Sequence, residues 1–96
     1  MSSQTQVLEN HEPILGGWTD FRKPTAADLL LFKQALEGYV GVKYIPTAVA
    51  TQVVAGINYR FRCTASIPPS EIAYEAIVKI FKPLVGDPHV VKITRI

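Results

Sequence analysis

Ile57-Asn58-Tyr59-Arg60-Phe61-Arg62-Cys63-Thr64-Ala65-Ser66-Ile67 is the stretch whose reading decides the fold. Ile57, Tyr59, Phe61, Cys63, Ala65 and Ile67 occupy every second position, and Asn58, Arg60, Arg62, Thr64 and Ser66 fill the places between them. Successive side chains of a strand leave opposite faces, so this alternation predicts a strand with one face on a core and the other in water. A sheet open on one side is an antiparallel sheet, and its apolar face needs a cover.

Working outward, Pro68-Pro69-Ser70 reads as a turn. Residues 72–81 form a further predicted strand, with Ile72, Tyr74, Ala76, Val78 and Ile80 on one face and Glu75 and Lys79 on the other. A loop runs from Pro83 to Pro88, and residues 89–96 make a last short strand. Upstream, residues 43–54 are rich in Val, Thr and Ala and read as a strand that carries Pro46 near its start. Before it lies one helix, predicted from Thr25 to Tyr39. Pro24 precedes it, Thr25 can cap it with Asp28 three residues on, and Gly38 and Gly41 stop it. Leu29, Phe32, Leu36 and Val40 share one helical face and read as core. The helix is what the sequence offers to cover the sheet. The expected fold is therefore α+β, one helix packed across a curved antiparallel sheet of four or five strands, the extra strand coming from around Thr19 to Lys23. Residues 1–13 read as a flexible tail and 14–96 as one domain.

Composition narrows the function. The chain has 96 residues, of which 48% are hydrophobic and 19% charged, as in ordinary soluble globular proteins. Ten basic residues against eight acidic give a net charge of +2, and the basic residues are scattered, which argues against a nucleic-acid partner. No apolar run approaches the ~20 residues of a membrane span. The polar start, Met1-Ser2-Ser3-Gln4, has no leader pattern, and the single cysteine, Cys63, allows no internal disulfide. A cytoplasmic protein without cofactor is expected. Cys63 with His11 or His89 is the one candidate nucleophile set, but Cys63 falls on the apolar side of its strand and reads as inert packing. Two histidines far apart in sequence and a distant cysteine do not make a metal site.

Two segments remain. Ile14-Leu15-Gly16-Gly17 runs large aliphatics into a glycine pair, which reads either as a hinge or close-approach site or as a simple linker. Gln52-Val53-Val54-Ala55-Gly56 connects the first two long strands. Hairpin tips usually carry polar turn residues. Here Val53, Val54 and Ala55 either project as a contact surface or, for the valines, finish the strand and pack inward. A turn coded this poorly is also a candidate hinge through which a monomer could exchange its first half with a second chain to form a dimer.

Gln52-Val53-Val54-Ala55-Gly56 carries in full the Gln-x-Val-x-Gly signature of the cystatins, inhibitors of papain-like cysteine proteases. Asn58-Tyr59, Tyr74-Glu75-Ala76, Phe81-Lys82-Pro83 and Gly16-Gly17 after Ile14-Leu15 also resemble the family, in order and spacing, over roughly residues 14–93. The resemblance implies a reversible, non-covalent inhibitor of cathepsin-type proteases rather than an enzyme. Its wedge would comprise the trunk Ile14, Leu15, Gly16 and Gly17, the first loop Gln52, Val53, Val54, Ala55 and Gly56, and a second loop at Pro83 and Leu84, to which His89 contributes. The chain departs from the family at Leu84, where secreted and plant members carry Trp, and that favours the alternative of a cystatin-fold binding module without inhibition.

Overall fold

The computed structural model describes residues 16–96. The chain forms one helix, α1 (Ala26–Ala35), then β1 (Lys43–Val54), β2 (Gly56–Ser66), β3 (Ala73–Lys82) and β4 (His89–Arg95). The strands pair in sequence order, each antiparallel to the next, into a four-stranded sheet. The α+β fold expected from the sequence is the fold observed. The proposed tail, residues 1–13, lies outside the described residues.

The alternation in β2 resolves as expected. Phe61, Cys63 and Ala65 are buried on the helix side, opposite Val78, Ala76 and Tyr74 of β3. Phe32 of α1 meets Phe61 edge to face with ring centroids 4.9 Å apart, and Tyr59 stacks beside Phe61 at 5.8 Å. Val49, Val78, Ile80 and Ala35 complete the core. Ile67 and Ile72, assigned to strands by their alternation, lie instead in the exposed β2–β3 connection. No neighbouring strand continues the ladder there, so their backbones leave the sheet.

The helix differs from expectation in length and in facing. It starts at the predicted cap: the Asp28 amide donates to Thr25 Oγ1 at 3.1 Å, and the Thr25 amide donates to Asp28 Oδ2 at 2.8 Å. It ends at Ala35, with Leu36 as C-cap, one turn earlier than predicted. Asp28, Phe32 and Ala35 are the buried positions, with Leu31 and Leu36 packed against the core, while Leu29 and Val40 are exposed. The cause is Asp28. Arg22 Nη1 reaches its Oδ2 at 2.6 Å from the segment beside β1, which turns the Asp28 face inward and Leu29 outward. Burial opposes ionisation of Asp28, but the hydrogen bonds from Arg22 and Thr25, with the Arg22 charge, outweigh it and hold the carboxyl below its ordinary value.

Residues 16–22 run antiparallel along β1 without forming the fifth strand. They touch it at two isolated bridges, Trp18 with Gln52 and Arg22 with Val49. Between them the Thr51 amide donates to the Thr19 hydroxyl at 3.0 Å rather than to a main-chain carbonyl, and this interrupts the ladder. No helix among the described residues is long and apolar enough to cross a membrane.

Candidate functional site

β1 and β2 are joined by a very tight turn. Val54 pairs with Gly56, so Ala55 alone forms the tip. Such a reversal demands an unusual backbone, and Gly56 supplies it with φ of +115°. Gly56 is also buried. A β-carbon there would lie 2.5 Å from the Lys82 carbonyl oxygen and 3.0 Å from the Phe81 ring. The missing side chain is what allows the first loop to lie directly against the end of β3. Of the two readings of the valines, each holds in part: Val53 and Val54 finish β1, yet both are only half-buried, and Ala55 is exposed.

The second loop leaves the same end of the sheet. Lys82 pairs with Ile57, one residue past Gly56, and the chain then runs through residues 83–88 to His89. Pro83 is half-buried, and Lys82 Nζ donates to its carbonyl at 2.9 Å. Pro88 is buried at the far side of the loop, and Gln34 Nε2 of α1 donates to Asp87 Oδ1 at 3.3 Å. The tip between these fixed points is Leu84, 76% exposed, and Val85, 92% exposed. Of these two, the resemblance to the cystatins points to Leu84 alone; Val85 beside it is the more exposed, and an aliphatic next to Gly86 in a proline-bounded loop is the signal that marks it. His89 opens β4 at the base of the loop, its ring edge-on to Phe81 at 5.8 Å.

Gly16 closes the group. Its amide donates to the Val53 carbonyl at 3.1 Å, and its carbonyl accepts from Gln52 Nε2 at 2.9 Å. Gln52 Oε1 in turn accepts from Asn58 Nδ2 at 2.8 Å, so Gln52 is a tether between the incoming chain and the hairpin. Asn58 completes this tether, which the spacing of the sequence could not disclose because the partners meet only across strands. Gly16 adopts φ of +83° with open space around it, and Gly17 is half-buried. Ile14, Leu15 and His11 lie outside the described residues. Gly16, Val53 to Gly56, and Lys82 to Val85 thus stand side by side at one end of the sheet, presenting Ala55, Leu84 and Val85 to solvent.

The one thiol, Cys63, is 1% exposed inside the core, and burial pushes it up to about 12, so it stays protonated and sheltered at neutral pH. Among the described residues no three His, Cys, Asp or Glu groups cluster as metal ligands would. What the arrangement presents at its tips is apolar surface, from Ala55, Leu84 and Val85. No protein-family model matches the chain, and no curated protein matches it.

Proposed function

We propose that this chain is a cystatin-type inhibitor that reversibly blocks the active-site cleft of papain-like cysteine proteases without forming a covalent bond. The observation that carries the reading is the adjacency of three segments remote in sequence. Gly16 is hydrogen-bonded to Val53, and Gly56 abuts Lys82 at the start of the loop that exposes Leu84 and Val85. A narrow apolar edge of this kind suits a groove shaped for extended peptides. Fully burying a valine or leucine is worth about 1.5–3 kcal/mol before the costs of association. The hairpin is already paired to its tip, so little backbone entropy is lost on docking. Ile14 and Leu15 would extend the trunk along the substrate-binding side of the cleft.

The test is a titration of papain against a fluorogenic peptide substrate. The expected result is stoichiometric loss of activity that returns on dilution, with no mass adduct on either protein. Ala55→Glu places a charge on the exposed tip and removes no buried contact. It should weaken inhibition at least tenfold with an unchanged melting temperature. Equal potency of wild type and Ala55→Glu would refute the first loop as the wedge. Binding to papain without loss of activity would favour the non-inhibitory binding module, for which Leu84 in place of a larger aromatic is the supporting observation.

A further inference from the structure

Arg60, Lys79 and Lys92 are far apart in sequence, but the sheet register sets Arg60 of β2 directly opposite Lys79 of β3, and Lys79 directly opposite Lys92 of β4. All three leave the sheet on the face away from α1, because their neighbours Phe61, Val78 and Ile93 face the core. Adjacent strands are about 4.8 Å apart, so three cations stand in a straight row across the sheet. Like charges directly opposite one another are destabilising. Among the described residues the carboxylates in ion pairs are Asp28, taken by Arg22, and Glu75, taken by Arg62; no carboxylate is paired with the row.

Arg60 and Lys79 of the row help to line a depression of about 320 Å³, whose other walls include Trp18, Gln52, Asn58, Tyr59 and Val91. Its volume is at the lower end for small-ligand sites. Val91 is the extra residue of a β-bulge, since Lys92 pairs with Lys79 and Val90 with Ile80. Bulges re-aim neighbouring side chains and are enriched beside binding sites. The Gln52 and Asn58 carboxamides each spend one N–H on the tether and retain a second donor hydrogen.

This chemistry calls for an anionic ligand with hydroxyl groups. A single-stranded nucleic acid would also need an open aromatic face for its bases. The Trp18 ring is covered by the Arg60 guanidinium, 3.8 Å from its centroid, and the Tyr59 ring belongs to the core side, stacked on Phe61. We propose that the sheet face opposite the helix binds a sulfated oligosaccharide, with Arg60, Lys79 and Lys92 meeting sulfate groups and the Gln52–Asn58 pair meeting sugar hydroxyls. The row lies several residues up the sheet from the Ala55 tip, and the assignment does not rest on protease inhibition.

The test is calorimetric titration of the full chain with a heparin-derived hexasaccharide over a range of salt concentrations. The expected result is saturable binding. Lys79→Gln combined with Lys92→Gln should weaken it at least tenfold and reduce the slope of log Kd against log salt by about 2, one for each cation removed. Lys33→Gln, an equal loss of charge on the exposed side of α1, should leave binding intact. Without ligand, Lys79→Gln should raise the melting temperature by about 1–4 °C as the row is relieved. Three results would overturn the proposal: no binding by wild type, equal binding by the double variant, or equally tight binding of a single-stranded oligonucleotide of matched charge. A fall in melting temperature for Lys79→Gln would remove the premise that the row costs stability.

Discussion

Replacing Gly56 by alanine probes the junction between the two loops most directly. At φ of +115° a β-carbon carries steric strain of about 1–3 kcal/mol. The same carbon would stand 2.5 Å from a main-chain oxygen, that of Lys82, and 3.0 Å from the Phe81 ring. A carbonyl held in the β2–β3 ladder cannot yield without breaking sheet hydrogen bonds, and overpacking of this sort costs a further ~1–3 kcal/mol. Gly56→Ala should therefore destabilise by about 3–4 kcal/mol. A domain of this size holds about 5–14 kcal/mol in all. At about 4–8 °C per kcal/mol the melting temperature should fall by about 12 °C or more. Gly16→Ala is the internal control. Gly16 also has positive φ, +83°, but its β-carbon would meet nothing within 4 Å, so strain alone acts and the loss should be about 1 kcal/mol. Urea unfolding followed by the fluorescence of Trp18, the single tryptophan, measures both. A Gly56→Ala variant within 1 kcal/mol of wild type, or no worse than Gly16→Ala, would refute the view that the loops are locked together through the missing side chain. Any loss of protease inhibition on substituting Gly56 would then have to be separated from loss of fold, which is why the exposed tip, Ala55, is the cleaner position for the functional test.

Asp28→Asn should cost about 1–2 kcal/mol at pH 7 by weakening the capping box and the Arg22 contact. Because the folded-state value of Asp28 is depressed, its contribution is complete above the ordinary carboxylate range near pH ~4 and is lost as pH falls through the lower folded value; urea midpoints of the two proteins should converge toward pH 2, and an unchanged gap would contradict the assignment. Cys63, buried and pushed up to about 12, should resist iodoacetamide at pH 8 in the native protein and react at once in urea, as read by mass spectrometry; rapid native labelling would mean the core opens readily. Gln52→Ala removes the tether to Gly16 and Asn58, so amide exchange at Gly16 and Thr19 should quicken by about fivefold, equivalent to one hydrogen bond of about 1 kcal/mol, while the Phe61 amide keeps its protection.

The strands were the most legible part of the chain because their signal is local. Tyr59, Phe61, Cys63 and Ala65 alternate with polar residues, and no contact from elsewhere is needed to read the side they face. The helix was half legible. Thr25 and Asp28 mark its start through bonds three residues apart, but its facing is set by Arg22, which acts through space on Asp28 and turns Leu29 to solvent. The sequence leaves four or five strands open, and the structure has four because at Thr19 the side-chain hydroxyl takes the place of a main-chain acceptor. At the candidate site, Val53 to Ala55 stand out as apolar residues in a turn-like place before Gly56, while Leu84 is marked only by the resemblance to the cystatins. The degree of exposure of Val85 and the bond from Asn58 to Gln52 are not legible in the sequence, the second because its partners lie on different strands.

The sequence by itself determined the order and kind of the elements, the inner face of each central strand and the cap of the helix, since these follow from side-chain periodicity and hydrogen bonds between near neighbours. Only the tertiary structure decided that Gly16, Ala55 and Leu84 share one end of the sheet, and that Arg60, Lys79 and Lys92 stand in one row. Both depend on strand register, which is fixed by pairing across the sheet and has no counterpart in the linear spacing of residues.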